Sequence, residues 1–98
     1  MSEPTIRAKV TINNPQGLHM RPAYMFAETA SRFDSRIEVA KDDRRIDGKS
    51  VLSILTLGAA QGSEVCIEAT GQDAENAIRV LSGLVNSGFA SREVIDGK

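Results

Sequence analysis

IRAKVTINNPQGLHMRPAYMFAETASRF, residues 6–33, changes its hydrophobic period midway, and that change decides the fold. Ile6, Ala8, Val10 and Ile12 alternate with Arg7, Lys9 and Thr11, which predicts a strand with one buried and one wet face. Asn13-Asn14-Pro15-Gln16-Gly17 interrupts the alternation, because proline removes a ladder donor and glycine admits positive φ. From Pro22 the apolar residues fall at Ala23, Phe26, Ala27, Ala30 and Phe33, the spacing of one helical stripe, and Asp34-Ser35 ends it.

Outward from that unit the pattern repeats in shorter pieces. Ile37 and Val39 alternate with Arg36 and Glu38, Asp42-Asp43 marks a tight turn, and Ile46 lies on a return strand, which together predict a hairpin. An aspartate in such a turn tolerates the left-handed region less easily than glycine. Ser50 caps a short helix through Leu57, stopped by Gly58. Val65, Ile67 and Ala69 then point inward from a fourth strand, with Cys66, Glu68 and Thr70 outward. A last helix opens near Asp73, repeats Ala74, Ala77, Ile78, Leu81, Leu84 and Val85, and closes at Ser87-Gly88. The order predicts an α+β domain over residues 1–89, with helices on one face of a mostly antiparallel sheet and a loose tail over 90–98. On the other face Arg7, Lys9, Arg36, Glu38 and Glu68 mix their signs, as solvated sheet does and a nucleic-acid platform does not.

Ninety-eight residues, 41% of them hydrophobic, make one domain with a modest core. A formal charge of −1 without blocks of like charge excludes long-range attraction to nucleic acid or anionic lipid as the main business. One cysteine, Cys66, cannot form an internal disulfide, and with one histidine, His19, a zinc site lacks ligands. Met1-Ser2-Glu3-Pro4 shows no basic segment followed by an apolar stretch, and the apolar run from Ile54 to Ala60 is too short to span lipid, so a cytoplasmic location is expected.

Gly17-Leu18-His19-Met20-Arg21-Pro22-Ala23 sets the histidine where a loop enters a helix. First-turn amides lack helical partners and carry partial positive charge, so they suit an anion such as a phosphoryl group beside the imidazole. The imidazole supplies a nitrogen able to attack. Arg21 adds a permanent cation whose planar fork matches phosphate oxygens, and Pro22 lacks only an N–H that would go unpaired. Alone, a histidine beside an arginine is a capping residue beside a solvated charge; the combined context carries the phosphoryl reading. Gly48-Lys49-Ser50 is not a nucleotide loop, since that motif needs glycine where Asp43 stands. Ser50 is a plain cap by chemistry, and its hydroxyl is also well placed for phosphorylation. Five apolar residues between Val51 and Leu57 exceed one buried stripe: either all are core, or Ile54 and Leu57 enter it and Val51, Leu52 and Leu55 join Met20 in a docking patch around His19. Cys66 has no supporting motif as a nucleophile.

The stretch 17–23, Lys49-Ser50 and Leu57-Gly58-Ala59-Ala60-Gln61-Gly62 together resemble, in order and spacing, the HPr family of histidine phosphocarriers of the phosphoenolpyruvate-dependent sugar phosphotransferase system, over about residues 5 to 89. The resemblance implies an open-faced sandwich, with four antiparallel strands and three helices on one side. It implies that His19 takes phosphate on Nδ1 from phosphorylated enzyme I and passes it to an enzyme IIA domain, and that Arg21 steadies the phosphoryl group. It further implies that Ser50 is a regulatory serine for HPr kinase/phosphorylase, and that Met20, Val51, Leu52 and Leu55 bind partners. No cofactor, no nucleic acid and no membrane insertion are implied, and an isolated monomer is the default. Met20 stands where a small residue or Thr is frequent in the family, and Asp43 where the hairpin usually has Gly. Retention of His19 separates the chain from regulatory relatives that act through the serine alone. Two rivals stand beside the carrier: an interaction module switched at Ser50, and a domain that binds a small molecule. With no substrate pocket of its own in the sequence, the chain is a transferase only together with its partners.

Overall fold

The computed structural model of the chain describes residues 3–89, so the tail expected over 90–98 lies outside the described residues. β1 (Thr5–Thr11), α1 (Met20–Ala30), β2 (Arg36–Lys41), β3 (Arg44–Asp47), α2 (Val51–Thr56), β4 (Glu64–Thr70) and α3 (Ala74–Asn86) follow in the expected order. The strands form one antiparallel sheet, β1-β4-β2-β3. Ile67 on β4 pairs with Ala8 on one side and Val39 on the other, and is fully buried at the middle of the sheet. α3 lies across β1 and β4, while α1 packs against α2 and α3. The alternation in β4 holds: Val65, Ile67 and Ala69 are buried, whereas Cys66, Glu68 and Thr70 are half-buried on the opposite face.

The boundaries of α1 differ from the sequence reading at both ends. It begins at Met20 rather than Pro22, because His19 is already the N-cap, with extended backbone at φ −86° and ψ −167°. Pro22 is therefore the third helical residue, and its missing N–H still costs nothing, since the first intrahelical bond runs from Ala23 N to His19 O at 2.9 Å. At the other end the helix stops at Ala30, ahead of Phe33, where both the amide and the hydroxyl of Ser31 donate to Ala27 O. Phe33 packs half-buried against the core from the turn that follows.

Two turns show how polar side chains fix this frame. In the β2–β3 hairpin it is Asp42, with φ 57°, that takes the left-handed conformation, one residue before the Asp43 singled out in the sequence. Asp73 occupies the N-cap of α3 yet its side chain does not cap it. Its carboxylate instead accepts from the amides of Asp34 (2.9 Å) and Ser35 (3.0 Å) and from the Ser35 hydroxyl, locking the turn after α1 to the turn before α3. Those bonds, the Ser35 hydroxyl first, hold the Asp73 carboxyl below its ordinary range.

The outer sheet face is an ion ladder. Arg7 Nε meets Glu68 at 2.7 Å, Arg45 bridges Glu68 (2.5 Å) and Glu38 (3.2 Å), and Arg36 reaches Glu38 at 3.3 Å. Glu38 and Glu68 face each other directly across β2 and β4, a repulsive pairing that Arg45 relieves from β3. Arg7 and then Arg45 hold the Glu68 carboxyl below the usual carboxylate range. Arg45 joins the residues that the sequence placed on this face, and every charge in the ladder is spent on a neighbour.

Candidate functional site

The loop before α1 is rigid for identifiable reasons. Gly17 N donates to Asn14 O at 3.0 Å, and the Asn14 carboxamide returns a bond from Nδ2 to Gly17 O at 2.7 Å. Gly17 adopts φ 70°, and a Cβ there would overlap the Ala59 carbonyl oxygen, so the position requires glycine on two counts. Leu18, buried, donates from its amide to that same oxygen at 2.9 Å, and Gly62 N bonds Ile12 O at 2.7 Å. The turn between α2 and β4, residues 57–62, thus clamps the loop that carries His19.

Immediately after the buried Leu18, His19 is exposed. Its amide donates to Gly17 O at 3.0 Å, but its imidazole makes no capping bond. A histidine present only to cap α1 would spend its ring there, so the plain capping reading does not describe this residue. No acidic side chain occupies the first turn of α1, and the amides ahead of Ala23, Met20's among them, have no helical acceptor. His19 and Arg21 line one cleft of about 390 Å³, with Asn14, Pro15 and Gln16 on the loop side and Gly88 and Phe89 on the far side. The two residues singled out for the chemistry are therefore brought together. The cleft is open to an anion, with donors and positive charge on its rim.

Ser50 lies elsewhere. It is the N-cap of α2, where its hydroxyl accepts from Ser53 N at 3.2 Å, and it does not line the His19 cleft. Lys49 beside it donates from Nζ to Phe33 O at 2.8 Å and Gly48 N to Ile37 O at 2.8 Å, so the Gly-Lys-Ser segment is engaged in holding the end of α1 and the hairpin. On α2 the apolar residues divide: Ile54 is 0% and Leu57 5% exposed, whereas Leu52 is 73% exposed and Val51 and Leu55 are half-buried. The alternative of an all-core helix fails. Met20, 61% exposed on α1, joins them at the surface.

The sequence reading missed Tyr24. It is 54% exposed, one turn after Met20 on the same face of α1, and it borders a shallow groove with Val51 and Lys49. The signal was present, an aromatic outside the buried stripe at four residues from Met20. Met20, Tyr24 and Leu52 are the large hydrophobic side chains exposed among the described residues. Cys66, paired across the sheet with Lys9 and Ala40, is remote from the cleft lining. Among the described residues no three metal-ligating side chains converge, and no helix is long and apolar enough to cross a membrane.

Residues 6–87 match the family model described as the PTS HPr component phosphorylation site. The chain is 38% identical over 88 residues to the phosphocarrier protein HPr of Neisseria meningitidis, covering 90% of this chain and 99% of that one. It is 32% identical over 80 residues to the HPr-like protein Crh of Bacillus subtilis, covering 82% and 94%. In three dimensions it superposes on the crystal structure of HPr-C-His from Thermoanaerobacter tengcongensis with a TM-score of 0.84 and 42% identity, over 88% of this chain and 97% of that one.

Proposed function

The chain belongs to the HPr family of phosphocarriers of the phosphotransferase system, and on that premise we propose that His19 is the phosphoryl acceptor, taking the group from phosphorylated enzyme I and giving it to an enzyme IIA domain. A ring nitrogen, Nδ1 by the family's pattern, forms the new N–P bond as the N–P bond to the donor's imidazole breaks, and the donor ring keeps that electron pair. The same exchange runs in reverse order at the acceptor. Little covalent work falls to the protein; it positions the ring and stabilises charge on the phosphoryl oxygens. Arg21 and the amides opening α1 supply that charge, each charge-assisted hydrogen bond being worth about 1.5–3 kcal/mol. The observation that carries the reading is an uncapped, exposed imidazole at an open helix N-terminus, in one cleft with an arginine.

Met20, Val51, Leu52 and Leu55, extended by Tyr24, form the surface on which both partners dock in turn. Phosphorylation of Ser50, by HPr kinase/phosphorylase where that enzyme is present, adds negative charge to this surface and slows transfer between it and an already phosphorylated partner. A cytoplasmic location and a monomeric state go with this role, and the carrier domain is residues 1–89. Incubation with phosphoenolpyruvate and enzyme I tests the reading: the protein is expected to gain one acid-labile phosphate that His19→Ala does not gain. Acid-stable phosphate, or labelling of His19→Ala, would overturn it.

A further inference from the structure

We propose that Asn14 is a positioning residue for the phosphoryl transfer, acting through Gly17 to hold the His19 backbone so that the imidazole faces the cleft; this rests on the carrier reading above. The Gly17 carbonyl is the shared point, accepting from Asn14 Nδ2 at 2.7 Å and from the His19 amide at 3.0 Å. Asn14 also accepts from Gly17 N at 3.0 Å, so Gly17 is gripped on both sides of its peptide. Its carboxamide cannot be turned round, because that would set its own oxygen against the Gly17 carbonyl. The remaining atom points beyond stability alone: Asn14 Oδ1 is buried with no hydrogen-bond partner among the described residues. An orphaned buried carbonyl is a cost that a small or apolar side chain would avoid, and such exceptions call for a functional explanation. Asn14 also lines the cleft that holds His19 and Arg21. With the Gly17 carbonyl fixed, the His19 amide is committed to it, and the residue is held extended at ψ −167° on the lining of the cleft.

Asn14→Ala removes the grip and the orphan together. The expected result is a transfer rate constant from enzyme I about tenfold lower, with KM for enzyme I and the melting temperature within error of wild type, because the docking face and core are untouched. Amide hydrogen exchange supplies a local reading that does not depend on transfer: the His19 amide should exchange at least several-fold faster in the variant, while the Leu18 amide, bonded to Ala59 O, keeps its protection. Asn14→Ser, which restores a hydroxyl donor in the same place, is expected to recover part of the rate. A wild-type rate in Asn14→Ala, or a loss that follows a raised KM or a lowered melting temperature, overturns the proposal and leaves the carrier reading standing. Failure of the wild-type protein to accept phosphate at all defeats the carrier reading instead, while the exchange measurement still reports on the grip.

Discussion

At the N-terminus of α2 the Ser50 hydroxyl accepts from Ser53 N, whereas at the N-terminus of α1 the His19 side chain accepts nothing from its own helix. The two ends are built from similar extended N-cap backbones and differ in what the side chain does. A helix end satisfied by its own residue is a structural joint; Lys49 and Gly48 beside it are likewise engaged in holding neighbouring turns. An end left open keeps its donors for something that arrives, and only this one carries a nucleophile and an arginine in the same cleft. Closing the open end and opening the closed one are therefore opposite experiments.

His19→Ser closes it. All phosphoryl acceptance from enzyme I is expected to vanish while the fold gains about 1 kcal/mol in denaturant unfolding, as a competent side-chain cap replaces an idle one. Loss of transfer accompanied by loss of stability would show that the imidazole was structural after all. Next in size, Arg21→Ala keeps the end open but weakens its charge, and transfer is expected to fall about tenfold to a hundredfold, the equivalent of roughly 1.4–2.8 kcal/mol of transition-state stabilisation. Arg21→Lys, which keeps charge without the fork, should fall between, as steady-state kinetics with enzyme I would show. Ser50→Ala opens the closed end: about 1 kcal/mol of unfolding free energy is lost and the unmodified protein transfers phosphate as before.

Asp73 sharpens the comparison from a third helix end, where the N-cap carboxylate serves a neighbouring turn instead of its own helix. Its folded-state carboxyl is held below its unfolded value, so its contribution is complete above the ordinary aspartate range near about 3.9 and is lost as pH falls through and below it. Asp73→Asn should flatten that acid limb of the stability curve and leave phosphoryl transfer unchanged at neutral pH. An unchanged acid limb would remove Asp73 from the account.

The strands and helix cores were legible because their periods are strong: Ile6 to Ile12, Val65 to Ala69, and the α3 stripe each match a single geometry. The opening of α1 was misplaced by two residues because Pro22 reads as a first helical position, and only backbone angles show that His19 already holds that boundary. The division of α2 into buried Ile54 and Leu57 and exposed Leu52 was one of two readings that the pattern allowed, and packing decided it. Tyr24 left a signal that the reading passed over, whereas the roles of Arg45 and Asn14 were not legible at all. Arg45 gains its role from a strand two elements further along the chain, Tyr24 from its exposure on α1, and Asn14 from a carboxamide oxygen whose isolation among the described residues exists only in three dimensions.

Backbone amide resonances before and after phosphorylation by enzyme I test the open end of α1 most directly. The Met20 amide is expected to move strongly downfield as it meets phosphoryl oxygens, together with a large change in the His19 ring nitrogens, while the Ser53 amide, already engaged by Ser50, stays in place. A Met20 amide that does not respond, or a Ser53 amide that responds as strongly, would contradict the claim that α1 keeps its N-terminus for the incoming group.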